Sequence, residues 1–194
     1  GDQFGYAVAL NVDGSTLAVG ARSEASADAA DPGNNLFPGA GAVYLFVRDG
    51  NGDWIEEAYI KASNVEAGDN FGHAVALSDS GNTLVVGAPG EDGATGLIPN
   101  SGAVYTFNRG VGGWTEQDYL KASNASAGDG FGNVVSLNGT GNVLAVGAPF
   151  ADVNSGAVYL FSVTTGWNET SLLRAANAGV NDNFGASLAL SGDG

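Results

Sequence analysis

Residues 69–89 read DNFGHAVALSDSGNTLVVGAP, and near copies of this stretch recur along the whole chain. Two further copies begin at Asp2 and Asp129, and a shorter one, DNFGASLALSGDG, begins at Asp182. Each copy opens with alternating residues, the period of a β-strand. The large residues of the quoted copy are expected on one strand face: Phe71, His73, Val75 and Leu77. Small residues such as Ala74 occupy the other, so the bulky face of one sheet is expected to fit the shallow face of the next.

Three more strands are predicted in each copy. A Gly/Asn/Asp turn leads to a second strand, Thr83–Gly87 in the quoted copy. The third reads GAVYLF, GAVYTF and GAVYLF at residues 41–46, 102–107 and 156–161. The fourth begins at a tryptophan, Trp54, Trp114 or Trp167. Short strands linked by tight turns and repeated in this way predict an all-β fold of four-stranded antiparallel sheets, the blades of a β-propeller.

The predicted organisation is one segment, residues 1–194, with three full blades and the first strand of a fourth. The blade units span residues 4–62, 71–122 and 131–175, and the fourth starts at 184–190. The phenylalanine that opens the first strand and the alanine that follows the second strand are 17 residues apart in each full copy. The gap from that alanine to the tyrosine of the third strand instead falls from 23 to 17 to 11 residues. One constant scaffold therefore carries one variable loop, an arrangement typical of binding proteins.

Composition narrows the choice of partners. The net charge is −15 with only six lysines and arginines, which disfavours nucleic acid and anionic membrane as partners. No apolar run approaches the roughly 18–20 residues of a membrane span. The chain has no cysteine, which excludes disulfides and thiolate metal sites.

The repeated pairs Phe4-Gly5, Phe71-Gly72, Phe131-Gly132 and Phe184-Gly185 carry a family resemblance. Together with the Gly-Ala-Pro triplets at 87–89 and 147–149, they resemble the FG-GAP repeats of integrin α-subunit β-propellers and their bacterial relatives. Gly-Ala-Arg at residues 20–22 departs from the triplet. The resemblance implies a propeller, commonly seven-bladed, in an extracellular or cell-surface protein that binds proteins or glycans.

The family often carries a calcium loop of the form DxDxDG between strands one and two. The corresponding turns here, residues 11–14, 78–81 and 138–141, keep at most one carboxylate each. Calcium usually takes several oxygens and more than one carboxylate. We therefore expect tight turns at these places and no cofactor, with bound calcium as the disfavoured alternative.

Charged residues at equivalent positions of several copies are interpreted as scaffold. The aspartates two residues before each FG phenylalanine are expected to close a turn: Asp2, Asp69, Asp129 and Asp182. The basic residues seven positions after each tryptophan are also equivalent: Lys61, Lys121 and Arg174. His73 is the single histidine and has no repeated partner, so a catalytic role is disfavoured. The tryptophans are expected to pack against a neighbouring hairpin rather than to stack on sugar.

The variable loops between strands two and three are the better candidates for binding. Residues near the tips of two of them form the candidate ligand-binding set: Asp28, Asp31, Asn34, Asn35, Leu36, Phe37, Glu91, Asp92, Leu97 and Ile98. The alternative is that these loops are surface without a function. Three asparagines match the N-glycosylation acceptor pattern: Asn124, Asn138 and Asn168.

Three functional hypotheses follow. The first is a non-enzymatic extracellular binding or adhesion module that contacts protein or glycan through these loops. The second is a structural surface or filament protein that assembles by stacking blades or exchanging strands. The third is the accessory propeller of a secreted hydrolase. Because closed propellers typically have four to eight blades, we expect either further blades in a longer chain or self-association.

Overall fold

Separate four-stranded antiparallel sheets make up the fold. A computed structural model describes residues 1–28, 30, 33–93 and 96–194. Blade 1 contains β1 (Phe4–Leu10), β2 (Thr16–Ala21), β3 (Ala42–Arg48) and β4 (Trp54–Ile60). Blade 2 contains β5 (Ala74–Leu77), β6 (Thr83–Ala88), β7 (Ala103–Gly110) and β8 (Gly113–Leu120). Blade 3 contains β9 (Val134–Leu137), β10 (Val143–Ala148), β11 (Ala157–Val163) and β12 (Trp167–Leu173).

The strands of each blade are in sequence order and share one register. The alanine that ends the second strand faces the alanine that opens the third in every blade: Ala21 and Ala42, Ala88 and Ala103, Ala148 and Ala157. Each pairing of third and fourth strands carries a bulge at the same place. The predicted blades are thus confirmed, and the loop variation leaves the register unchanged.

Strand pairing between consecutive blades consists of one isolated β-bridge each and not of a continuous sheet. Gly41 bridges to Phe71 of the next blade, and Gly102 bridges to Phe131. The backbone N–H of Phe71 donates to Ala40 O at 3.0 Å, and that of Phe131 donates to Ser101 O at 3.0 Å. The first strands β1, β5 and β9 lie against one another, which places them innermost, as in a propeller.

Two apolar clusters fill the spaces between blades. In the first, the bulky face of blade 2, with Phe71, Leu84 and Tyr105, packs on the shallow face of blade 1 at Ala18 and Val43. The second repeats this contact one blade further along, with Phe131, Leu144 and Tyr159 against Val85 and Val104. Trp114 and Trp167 pack against these clusters, as predicted, whereas Trp54 belongs to neither cluster and is 38% exposed.

The FG-GAP glycines meet at these blade contacts. A Cβ placed on Gly87, in the second strand of blade 2, would lie 2.0 Å from the carbonyl oxygen of Gly132 in blade 3. Gly20 and Gly72 make the same approach between blades 1 and 2, at 2.1 Å. A methyl group does not fit at such a distance. The glycines of the FG-GAP motif therefore form the close contact between consecutive blades.

His73 departs from the predicted alternation. Gly72 has φ +85°, so the chain turns between Phe71 and the start of β5 at Ala74. Phe71, Val75 and Leu77 join the core between blades as predicted. His73 instead lines a pocket near the innermost strands.

Two short segments complete the fold. Phe184 bridges to Gly156 as its counterparts do, and the residues after it lie beside blade 3, where the N–H of Leu190 donates to Ser136 Oγ at 2.9 Å. Residues 185–190 form no ladder with the described residues. Between β10 and β11 lies one turn, α1 (Ala151–Asn154), in which Asp152 and Val153 have left-handed φ values of 48° and 59°.

Candidate functional site

The variable loops and the connections between blades open on the same face of the molecule. The N–H of Gly68, between blades 1 and 2, donates to Pro38 O at 3.0 Å, at the end of the first variable loop. Between blades 2 and 3, the N–H of Gly128 donates to Pro99 O at 2.8 Å. We call this side of the molecule the loop face. The β1–β2 and β3–β4 turns lie at the opposite ends of the strands.

A cavity of about 400 Å³ opens on the loop face where the three blades meet. We call it the axial pocket. It is lined by Arg22, Asn70, His73, Pro89, Gly90, Asn100, Gly128, Gly130, Asn133 and Phe150. Its volume falls in the range of small-ligand sites. A shallower groove continues from it along the innermost strands and shares His73 and Asn133 with it.

Arg22 is held in place by contacts from blades 1 and 2. Its Nε donates to Gln3 Oε1 at 2.6 Å, and its Nη1 lies 3.4 Å from His73 Nδ1. The guanidinium carbon lies 3.8 Å from the centroid of the Tyr6 ring, a cation–π contact. These contacts engage two of the five guanidinium N–H groups, and the others have no protein acceptor among the described residues.

His73 is uncharged at neutral pH. Burial, and secondly the positive charge of Arg22, lower the pKa of His73 to about 4. The neutral ring accepts from Arg22 at Nδ1 and keeps a donor at Nε2. The Tyr6 ring lies 5.0 Å from it, centroid to centroid. His73 therefore orients Arg22 without adding charge.

Asparagines and one aromatic ring form the rest of the wall. The side-chain amides of Asn100 and Asn133 have no hydrogen-bond partner within the described residues, whereas Asn70 Nδ2 donates to Gly68 O at 2.6 Å. Phe150 stands at the rim and is 45% exposed. The pocket thus offers amide groups and one apolar surface beside the arginine.

Four of the other basic side chains form ion pairs, three within a blade and one between blades 1 and 2. Lys61 Nζ lies 2.8 Å from Glu24 Oε2, and Lys121 Nζ lies 2.7 Å from Glu91 Oε2. Arg174 pairs with Asp152, and Arg109 pairs with Glu57. Arg48 instead stacks on Trp54, 5.0 Å from the ring centroid. The equivalence of Lys61, Lys121 and Arg174 is confirmed, since each binds an acid of its own variable loop.

The predicted ligand-binding residues are spread over two loops. Leu36 and Leu97 are 69% and 79% exposed, Ile98 is 36% exposed, and Asp28 and Asn35 are also exposed. Phe37 is half-buried, and its N–H donates to Ala25 O at 2.8 Å. Asp31 lies outside the described residues. These positions lie on the loop face but do not line the axial pocket, so they remain predictions.

Three members of that set stabilise their own loops. Asn34 Oδ1 accepts from Ala27 N at 2.7 Å, and Asp92 Oδ1 accepts from Asn100 N at 2.7 Å. Glu91 is only 2% exposed, and besides pairing with Lys121 it accepts from Gly93 N at 2.8 Å. Hydrogen bonds from Lys121 and Gly93 outweigh the burial and hold the pKa of Glu91 below its usual value. Contact between Glu91 and a ligand would require the loop to open.

Three of the four aspartates before the FG pairs close turns with their side chains, as predicted, and Asp2 departs from the prediction. Asp69 accepts from Glu66 N at 3.0 Å, Asp129 from Ser126 N at 2.8 Å and Asp182 from Gly179 N at 2.7 Å. Asp2 contributes its backbone oxygen, which accepts from Ser23 N at 3.1 Å. These bonds shape the connections between blades.

Sequence reasoning missed a further repeated contact in the segments KASN, at 61–64 and 121–124. In blade 2, Glu116 accepts from Ser63 Oγ at 2.8 Å, and the Tyr105 hydroxyl donates to Asn64 at 2.6 Å. The same two contacts recur one blade further along, from Ser123 to Glu169 and from Tyr159 to Asn124. The signal was the repetition of KASN itself.

The turns at the family's calcium position are closed by side chains. Asn11 Oδ1 accepts from Ser15 N and Thr16 N at 3.0 and 2.8 Å, and Asn138 Oδ1 accepts from Asn142 N and Val143 N at 2.9 Å. This confirms the tight turns. Within the part of the chain that the structure describes, no three His, Cys, Asp or Glu side chains are grouped so as to hold a metal ion.

The candidate glycosylation asparagines differ in access. Asn124 and Asn168 are exposed, whereas Asn138 is only 2% exposed and its amide nitrogen donates to Thr140 and Asn142. A glycan on Asn138 would break these bonds. No helix among the described residues is long and apolar enough to cross a membrane.

The fold and the loop face define the chain as a β-propeller-type repeat protein. The sequence model of the FG-GAP repeat family matches residues 54–107 and 114–161, which together are more than half of the chain. The chain therefore belongs to the FG-GAP repeat family, as its motifs predicted. No curated protein matches it.

Proposed function

We propose that this chain is a non-enzymatic binding module of an extracellular or cell-surface protein and that it contacts protein or glycan through the loop face. One observation carries the proposal: an unchanged strand register presents variable loops around a pocket. FG-GAP repeats form propeller-type modules that often bind other molecules, which supports the assignment. Rigid scaffolds that carry variable loops are a common design for recognition.

The experiment compares two faces of one molecule. A short Gly-Ser turn would replace residues 27–37, which leaves Glu24 and its pair with Lys61 intact. In a matched control, one exposed side chain would be truncated in the turn between the third and fourth strands of each blade, on the opposite face: Asn51, Val111 and Thr164. Both variants and the parent chain would be applied to a glycan array and to an array of secreted proteins.

We expect the loop variant to lose the ligands of the parent chain, and the control to keep them. Circular dichroism should show that both variants remain folded. Ligands retained by the loop variant, or lost equally by the control, would contradict the proposal.

Self-assembly is the second candidate, and the outer face of blade 1 favours it. Phe4, Val8 and Leu10 of β1 are 58%, 64% and 56% exposed. They belong to the bulky face of blade 1, and the corresponding faces of blades 2 and 3 pack on a neighbouring blade. Exposed apolar surface of this kind marks an interface. Electron microscopy of the purified chain would test this: ordered polymers would support assembly as the function, and their absence would count against it.

A further inference from the structure

We propose that the axial pocket binds an acidic sugar residue, with the sugar carboxylate paired to Arg22. This inference rests on the proposed binding function and names the chemical class of the ligand. It starts from a contrast of charge. The chain has 21 acidic residues and six basic ones, yet the lining of the pocket includes Arg22 and no acid. Asp92 lies two residues after Gly90 of the lining, and its carboxylate accepts the Asn100 N–H.

The surroundings of Arg22 favour the binding of an anion. Its guanidinium is fixed by Gln3, His73 and the Tyr6 ring, none of which is negatively charged. It therefore differs from Lys61, Arg109, Lys121 and Arg174, whose charges are matched by acids. A guanidinium with free N–H groups pairs with a carboxylate through two parallel hydrogen bonds. Because Arg22 is already ordered, binding would cost little side-chain entropy.

Departures from the repeat converge at this place. Arg22 stands where the other copies have Pro89 and Pro149, and His73 stands where they have Tyr6, Asn133 and Ala186. The scaffold therefore requires neither residue. The two are 51 positions apart in the sequence and come from different blades, yet they are in contact.

The remainder of the pocket favours a sugar over an acidic peptide. The free amides of Asn100 and Asn133 match hydroxyl groups, and the exposed Phe150 ring offers a flat apolar surface for one face of a sugar ring. A pocket of about 400 Å³ has room for a sugar residue. The net charge of −15 repels highly charged anions. This favours a ligand with one carboxylate per sugar residue over a polyphosphate.

The test is an NMR titration of the 194-residue chain with free glucuronic acid and, separately, with glucose, its neutral counterpart. Shifts should appear at the amides of Arg22, His73 and Asn133, with at least about tenfold weaker binding of the neutral sugar, as expected for loss of one charge-assisted pair. Arg22→Gln should weaken glucuronic acid binding by a similar factor. Arg22→Lys, which keeps the charge, should weaken it less.

Arg48→Gln is the matched control, since it removes one arginine that has no acidic partner and lies away from the pocket. It should bind glucuronic acid like the parent chain. Equal binding of the neutral sugar, or no effect of Arg22→Gln, would overturn the inference. Binding of N-acetylaspartate through Arg22 without binding of glucuronic acid would overturn the sugar assignment.

The outcomes separate this inference from the proposed function. If array ligands depend on residues 27–37 but carry no acid and survive Arg22→Gln, the inference fails and the proposed function stands. If no array ligand depends on the loop face, and glucuronic acid does not bind, both fail.

Discussion

Single side chains in equivalent positions experience very different surroundings in the three blades. The basic residue after the fourth strand pairs with an acid of the variable loop each time. The side chains of Lys61 and Glu24 are 4% and 3% exposed, whereas those of Arg174 and Asp152 are 34% and 57% exposed. Breaking a buried pair leaves an uncompensated charge, and breaking an exposed pair costs little.

We therefore predict graded losses of stability when each basic residue is replaced by methionine. Lys61→Met should lower the free energy of unfolding by about 3–5 kcal/mol and Arg174→Met by less than about 1 kcal/mol. Lys121→Met should fall between them, because Lys121 is 21% exposed. Denaturant unfolding of the three variants measures this order. Equal losses at all three positions would show that burial does not control how much each ion pair contributes to stability.

Asp69 gives a prediction for pH. Burial, and then the nearby Glu91 and Glu66 carboxylates, raise the pKa of Asp69 from 3.8 to about 7. Between about pH 4 and pH 7 the folded chain holds this proton more tightly than the unfolded chain, so the contribution of Asp69 to stability falls as pH rises. In Asp69→Asn the amide oxygen still accepts the Glu66 N–H, but the side chain does not ionise. The variant therefore does not lose stability in this way as pH rises.

The stability of Asp69→Asn relative to the parent chain should therefore grow from pH 4 to pH 7 and level off above that range. Denaturant unfolding at several pH values measures the difference. A difference that stays constant across the range would contradict the raised pKa of Asp69.

At the scale of the strands, the FG-GAP motif is a contact between blades. Gly87→Ala would place a methyl carbon 2.0 Å from the Gly132 carbonyl oxygen. We predict that it lowers the free energy of unfolding by at least about 2 kcal/mol, the range for overpacked cores. Gly112→Ala is the control, since its Cβ would meet nothing within 4 Å. Thermal unfolding of both variants would decide, and equal stability would contradict this account of the motif.

The sequence predicted the blades well because each strand alternates and each turn carries its own Gly, Asn or Asp. It predicted the strand starts less well, since the turn at Gly72 removes Phe71 and His73 from β5. It could not predict the axial pocket, because Arg22 and His73 meet only once two blades have packed. Nor could it predict the burial of Glu91, whose partner Lys121 lies 30 positions away.

At the scale of the whole molecule, blade 1 presents its bulky face to solvent. We predict that the 194-residue chain associates through this face, because Phe4, Val8 and Leu10 are more than half exposed. Light scattering at increasing protein concentration should show a rising mass. Val8→Lys combined with Leu10→Lys should restore the monomer, and Val111→Lys, in an exposed turn on another blade, should not. A constant monomer mass for the parent chain would contradict the prediction.

The loop face depends on blades that are separate sheets joined at the FG-GAP contacts. Amide hydrogen exchange followed by NMR tests this most directly, at Phe71 and Phe131, whose N–H groups donate to the preceding blade. We expect both amides to be protected as strongly as those of β6 and β10, because both residues are fully buried. Exchange as fast as that of the exposed turn at Gly112 would contradict the way the blades are joined.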